Sequence, residues 1–207
     1  MAHLLSFIVL LLKINATKSC RGISLKTQEL YTLVFICRYA DIFWNYFSLY
    51  NTIMKVVFLT ASFAILYFMR LHPIVKVTYD AEQDSFRYLF LLLPCAVLAL
   101  LFHKEWAPFE VVWGFSIYLE AVAILPQLVL LQRTQNIDNL TGNYVFLLGS
   151  YRALYILNWI TRYATETHYK HEYIVWVSGV VQTIIFADFF YYYLTSWRNN
   201  KKLVLPV

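Results

Sequence analysis

Charge is scarce in this sequence. Only 14% of its 207 residues are Asp, Glu, Lys or Arg, against 60% hydrophobic residues, whereas soluble domains carry about 25% charge. That scarcity excludes an ordinary water-soluble domain, and a mean hydropathy of +0.56 makes a bilayer the solvent of the fold. Glycine and proline are also scarce, five of each, and no low-complexity stretch occurs, so there is almost no room for extramembrane domains or linkers. The chain reads as one membrane domain, residues 1–207, with a short tail at 198–207. Three cysteines are an odd number; Cys37 and Cys95 lie in apolar runs and Cys20 in a basic loop, which argues against a disulfide framework. Missing as well are a Ser-His-Asp set, His-Glu-x-x-His, Cys-x-x-Cys, a Gly-rich phosphate loop and paired metal-ligand spacing, so neither an enzyme nor a cofactor is expected. The net charge of +5 would suggest nucleic acid on a soluble protein, but basic cytosolic loops account for it here.

What the sequence has is apolar runs of membrane-spanning length. Seven are expected, at residues 2–16, 30–50, 52–69, 88–103, 109–131, 144–163 and 173–197, the first being the shortest. A cleaved signal peptide is disfavoured, since residues 1–12 lack a basic n-region and Ile14-Asn15-Ala16 is a poor cleavage site. Seven spans place the termini on opposite sides, and basic residues in alternate loops decide which. Lys18, Arg21, Lys26, Arg70, Lys76, Arg87, Arg133, Arg198, Lys201 and Lys202 fall on one side, against Lys55, Lys104 and Lys170 on the other. Ten against three makes the C-terminus cytosolic and the N-terminus lumenal.

Four basic residues remain: Lys13, Arg38, Arg152 and Arg162, the last three well inside expected helices. An intramembrane Arg costs from about 2.5 to over 10 kcal/mol, so each needs a polar interior and partners. Asp41, Glu110, Glu120 and Asp188 are the available carboxylates. At about 100° per residue, Arg38, Asp41 and Asn45 share one face of the second span. Tyr151, Tyr155, Asn158 and Arg162 form a stripe on the sixth, flanked by Arg152 and Trp159. Trp113, Glu120 and Gln127 recur on the fifth, with Glu110 one turn before Trp113. These groups could neutralise one another as ion pairs that fix packing. The stripe on the sixth span nevertheless holds more hydrogen-bonding capacity than packing requires, and guanidinium forks with aromatic walls suit carboxylates. An anionic ligand with more than one carboxylate is implied. His3 is the only histidine in a span, the others being His72, His103, His168 and His171; it is either an interfacial polar residue or, if it lines the cavity, a charge switch between pH 5 and 8. Pro126 should kink the fifth span, with or without a functional purpose.

Several stretches resemble the ER lumen protein-retaining receptors that read K-D-E-L or H-D-E-L tails, plant members especially. They are Ser19-Cys-Arg-Gly-Ile-Ser-Leu-Lys-Thr-Gln28, Arg38-Tyr-Ala-Asp-Ile-Phe43, Ser48-Leu-Tyr-Asn-Thr52, Tyr118-Leu-Glu-Ala-Val-Ala-Ile-Leu-Pro-Gln127, Tyr151-Arg-Ala-Leu-Tyr-Ile-Leu-Asn-Trp159, Asp188-Phe-Phe-Tyr191 and Asn200-Lys-Lys-Leu203. The family normally has several residues before the His3 position, including a ligand-contacting Arg, so this chain is expected to be shortened there. The resemblance implies an all-α, seven-helix fold like SWEET and PQ-loop proteins, two three-helix bundles joined by the fourth span, with Pro126-Gln127 as the PQ signature. It implies a receptor of the ER and Golgi membranes that binds the C-terminal K/H-D-E-L tails of soluble ER proteins in the mildly acidic Golgi. A COPI-type retrograde coat would return it to the ER, where neutral pH releases the cargo. Membrane lipid is its surroundings.

By the same resemblance, Arg38 and Tyr39 meet the tail's terminal carboxylate, and Arg162 with the face from Tyr151 through Arg152, Tyr155, Asn158 and Trp159 holds its acidic side chains. Glu110 pairs with the tail's basic first residue beside Trp113; Asn45 is a further contact and Glu172 stands at the cavity mouth. His3 acts as pH sensor coupled to Tyr151 and Glu120. Asp188 serves transport, and Asn199, Asn200, Lys201 and Lys202 cover the retrieval signal, with Asn199 where the family has a basic residue. The alternative reading is a SWEET-like transporter of a small solute, whose sugar pocket would have no use for buried Arg.

The orientation is testable on two sequons, Asn15-Ala-Thr17 and Asn139-Leu-Thr141. Both should stay unglycosylated in microsomes, and protease should reach the C-terminal tail from the cytosolic side. Efficient glycan addition at Asn139 would invert the orientation.

Overall fold

The computed structural model describes residues 2–43, 45–103, 106–135, 137–166 and 172–206. Lys104, Lys170, His168 and His171 lie outside the described residues. Among those described the chain is helix and loop with no strand. The segments are α1 (Ala2–Thr17), α2 (Leu25–Tyr39), a 3-10 turn (Ala40–Phe43), α3 (Leu49–Arg70), the short α4 (Pro73–Lys76), α5 (Leu89–Leu101), α6 (Pro108–Val122), α7 (Leu125–Thr134), α8 (Asn139–Thr165) and α9 (Tyr173–Arg198). Three stretches, Leu49–Arg70, Pro108–Thr134 and Tyr173–Arg198, are long and apolar enough to cross a membrane; α1 and α5 are apolar but shorter.

Caps explain most of the boundaries that apolar periodicity misplaced. The second span was expected at 30–50, yet α2 starts at Leu25 because Ser24 accepts a hydrogen bond from the Thr27 N–H. Its polar first turn is buried because other helices partner it: Gln28 Nε2 donates to the Tyr144 hydroxyl at 2.9 Å, and Thr27 Oγ1 accepts from the Gln127 N–H at 3.0 Å. The same helix ends at Tyr39, so Asn45 lies beyond it and not on its face. Ser48 caps α3 through the Asn51 N–H, and Asp138 caps α8 through the Thr141 N–H. Lys55 therefore belongs to α3, where it is buried and paired with Asp41 at 2.7 Å.

The fifth span breaks as Pro126 led one to expect: α6 stops at Val122 and α7 begins at Leu125. Gln127 then closes a buried polar knot. Its Oε1 accepts from the Ser24 N–H at 2.9 Å and its Nε2 donates to the Gly22 carbonyl at 2.8 Å. Beside it, the Ser24 hydroxyl donates to Asp84, as does that of Tyr79. Burial and the Asp84 carboxylate push the Tyr79 hydroxyl well above its ordinary pKa. At the head of α8, Lys13 of α1 donates to Thr141 and pairs with Asp138 at 2.7 Å. Burial raises the Asp138 carboxyl, but the Lys13 ammonium and the Thr141 N–H outweigh it and hold the group below its ordinary range.

α1 packs along α8, α2 against α3 and α6, and α9 against α6 and α8. The α8–α9 approach depends on glycine: a Cβ at Gly149 would stand 2.5 Å from the Phe186 ring and 2.7 Å from that of Phe190, while one at Gly114 meets nothing within 4 Å. Gly149→Ala should therefore cost about 1–3 kcal/mol and lower the thermal midpoint in detergent. Gly114→Ala should leave it unchanged or raise it. Equal midpoints for the two variants would refute the close α8–α9 contact.

Candidate functional site

The site begins with one carboxylate. Glu120 of α6 is 1% exposed, and such a charge in a low-dielectric interior persists only if paired and hydrogen-bonded. It has three partners from two helices. Arg38, in the last turn of α2, reaches it through Nη1. Arg152 of α8 pairs with it at 2.6 Å, and the neighbouring Tyr151 hydroxyl donates to its other oxygen. Gln182 of α9 accepts from Arg152 Nε at 2.7 Å. Ser116, one turn from Glu120, accepts from Arg38 Nε at 3.2 Å and, through its carbonyl, from Nη2 at 3.0 Å. Four helices are thus joined through two guanidinium forks.

His3 of α1 lies on this cluster. Its ring stacks on Tyr151 at 4.1 Å with 5° between planes, and the rings of Phe58, Phe7 and Phe35 stand 5.1–5.6 Å away. Its Nε2 is buried with no hydrogen-bond partner among the described residues. The ring lies beside Glu120, whose oxygens are already engaged by Arg38, Arg152 and Tyr151.

Arg38 also faces the other way, into an open cavity of about 310 Å³ lined by Tyr39, Asp41, Asn45, Asn51, Lys55, Phe109, Glu110, Trp113 and Glu172. Of its five N–H donors, three serve Glu120 and Ser116, which leaves two for the cavity. Lys55 Nζ bonds both oxygens of Asp41 at 2.7 and 2.8 Å, and Asn45 reaches the same carboxylate at 3.5 Å. The wall carries cations, carboxylates and aromatic faces together, an arrangement suited to an extended polar ligand of mixed charge.

The residues singled out in the sequence separate into four places. Arg38, Tyr39, Asn45, Glu110, Trp113 and Glu172 share the cavity, while His3, Glu120, Tyr151 and Arg152 form the cluster that Arg38 connects to it. Along α8, Tyr155 stands edge-on to Tyr151 at 6.2 Å and continues to Trp159 at 6.0 Å. The rest of that stripe is not enclosed as expected. Tyr155 is 52% exposed, Asn158 is exposed, and Arg162 pairs with Glu166 one turn on at 2.8 Å. Trp159 itself is buried, packed over Gly179. Asp188 is exposed on α9, and Asn199, Asn200, Lys201 and Lys202 are exposed at the far end of the molecule. Gln182, Ser116 and Lys55 were missed: the first two carry no charge to mark them within an apolar span, and Lys55, near the head of its expected span at 52–69, was counted with the loop cations although it is buried on α3 and paired with Asp41.

The family model for the ER lumen protein retaining receptor matches residues 19–162, a stretch that holds Glu120, Arg38 and Arg152. ER lumen protein-retaining receptor B of Arabidopsis thaliana is 65% identical over 206 residues, spanning 100% of this chain and 95% of the relative. The ER lumen protein-retaining receptor of Petunia hybrida is 63% identical and that of Drosophila melanogaster 52%, with the same coverage. These relatives are named as receptors, not as transporters or enzymes. With a family model that matches most of the chain and relatives that match it end to end, the chain belongs to the ER lumen protein-retaining receptor family.

Proposed function

We propose that this chain binds the C-terminal K/H-D-E-L tail of soluble ER-resident proteins in the mildly acidic Golgi and returns them to the ER by retrograde traffic, releasing them at neutral pH. The supporting observation is Arg38, which spends part of its guanidinium on the buried cluster and presents the rest to a cavity shared with Tyr39, Asn45, Glu110, Trp113 and Glu172. A tail peptide brings three carboxylates and one basic side chain. Arg38 and Tyr39 suit its terminal carboxylate, and Glu110 beside Trp113 suits the basic first residue. Arg162 keeps its assignment to the acidic side chains on the family likeness alone.

In this reading α1, α2, α3, α5, α6 with α7, α8 and α9 are seven spans, two three-helix bundles joined by α5 as in SWEET-like proteins. The N-terminus is lumenal, the cavity opens to the lumen, and the tail from residue 198 lies in the cytosol of ER and Golgi membranes. Lys201 and Lys202 would be read there by a COPI-type coat.

Arg38→Ala should reduce tail-peptide binding at pH 5.5–6 by at least 100-fold, about 3 kcal/mol for a lost charged fork, whereas Lys76→Ala should not change it. Amidating the peptide's C-terminus should weaken binding comparably. If amidated and free peptides bound alike, Arg38 could not hold the terminal carboxylate.

The pH response follows from linkage. If His3 takes up a proton as the peptide binds, binding is strongest at low pH and fades as pH rises, by at most about tenfold per unit for one proton. His3→Ala should flatten this profile, and Lys201→Ala with Lys202→Ala should leave it intact while receptor and cargo fail to return to the ER. An unchanged profile in the His3 variant would move the sensor elsewhere.

A further inference from the structure

Where α8 begins and α9 ends, the two helices and the returning tail enclose an open cavity of about 700 Å³, within the usual size of small-molecule sites, about 300–1,000 Å³. Its walls can be traced along the chain. Asn200 takes a left-handed backbone with φ 49°, the Lys201 N–H donates to the Ser196 carbonyl at 3.0 Å, and the tail is folded back across the head of α8. Gly142 gives it room, since a Cβ there would stand 3.4 Å from a Leu203 methyl and from the Tyr193 ring. Lys201 and Lys202 thus become wall residues of the cavity, on a segment anchored by the buried side chains of Leu203 and Leu205.

The charge of this wall is unbalanced. Against two ammonium groups stands one carboxylate, Asp138, which Lys13 already holds at 2.7 Å and the Thr141 N–H at 2.7 Å. The neutral part of the wall can both donate and accept. Tyr193 donates to Asn143 Oδ1 at 2.6 Å, leaving the amide nitrogen as a donor, and the Asn139 and Asn200 amides each bring donors and an acceptor. The lysines call for an anion, and the amides call for a group rich in hydroxyls. A phosphate monoester carries about −1.5 to −2 charge near pH 7 and three acceptor oxygens, and an inositol ring supplies hydroxyls that donate and accept. Phosphatidylserine brings a single net charge and no array of hydroxyls.

The mouth of the cavity points to a lipid as the source. Trp197 lines it and is 75% exposed, at the end of a helix long and apolar enough to cross a membrane, with Leu194 and Tyr191 exposed on the turns before it. A tryptophan so placed belongs at the membrane–water boundary, where basic pockets between spans suit phosphoinositide headgroups. We propose that this cavity binds the phosphorylated inositol headgroup of a membrane lipid, with Lys201 and Lys202 on the phosphate and the asparagine amides on the ring hydroxyls. Occupancy would cover the two lysines and withhold them from any protein that reads them. The chemistry rests on the cavity itself; access to the lipid in a cell rests on the cytosolic tail proposed above.

The test uses the full chain in phosphatidylcholine nanodiscs, which expose both faces, with a fluorescent short-chain phosphatidylinositol 4-phosphate as probe and thermal midpoints to verify that each variant is folded. Binding should saturate. Lys201→Ala and Lys202→Ala should each weaken it about fivefold. Asn200→Gly, which keeps the left-handed backbone and removes the amide, should weaken it about three- to tenfold. Lys76→Ala, an exposed cation outside the cavity, should leave it unchanged. Unlabelled phosphatidylinositol 4-phosphate should displace the probe, phosphatidylserine about tenfold less well, and free inositol 1,4-bisphosphate less well than the lipid. Equal weakening by Lys76→Ala or equal competition by phosphatidylserine would overturn the proposal, reducing it to a general attraction of anions to a basic face. An unaffected Asn200→Gly variant would overturn recognition of the ring, and free inositol 1,4-bisphosphate competing as well as the lipid would overturn the lipid source. Protease access to the tail in microsomes reads the orientation separately, so its failure is not mistaken for a failure of the site.

Discussion

The buried carboxylate of Glu120 ties together the helices around the candidate site. Glu120 cannot be ionised in a low-dielectric interior without compensation, and its compensation comes from α2 and α8 at once, with α9 holding Arg152 in place through Gln182. The helices that carry these groups are therefore tied to common positions, and a change in any one donor alters the others. Ion pairs of this kind add little net stability compared with apolar packing, but breaking one partner is costly. Their value lies in specifying a particular arrangement of helices and in making that arrangement responsive to charge.

The opposite end is held by a different chemistry. There the connections are hydrogen bonds more than ion pairs: the Gln127 amide bridges Ser24 and Gly22, Ser24 reaches Asp84, and Tyr79 joins the same carboxylate. The Lys13–Asp138 pair adds a link between α1 and the start of α8. One end is thus a dense hydrogen-bonded network, and the other is an open cavity lined by charged groups. Rigid support below an adaptable opening is the arrangement expected where a ligand must be gripped and then let go.

Much of this was legible in the residues. Charge inside apolar runs is so costly that Arg38, Arg152 and Glu120 announced a shared interior, and helical spacing placed Tyr151 with them. Spacing failed where the backbone stopped being helical. Asn45 reaches the cavity from a turn, not from the face of α2, because Tyr39 ends that helix. It failed again on α8, where periodicity groups Asn158 and Arg162 with Tyr151 but cannot reveal how far the neighbouring helices extend to cover them. Neutral polar residues were the other blind spot. Gln182 and Ser116 carry no charge, and only their hydrogen bonds to the two guanidinium groups identify them as parts of the same unit.

The last residues have a consequence of their own. After α9 the chain turns back: the Ser196 hydroxyl donates to the Lys201 carbonyl, and Leu203 and Leu205 are buried in the main core, the former within contact distance of Gly142. Lys201 and Lys202 are therefore not on a floating thread but on a short clasp pinned at both ends. A flexible tail samples a volume that grows with its length and can be caught at a distance, whereas a clasp offers its charges at one height and in one orientation. A protein reading these lysines would have to come down to the level of the helix ends, docking on a surface instead of capturing a loose strand.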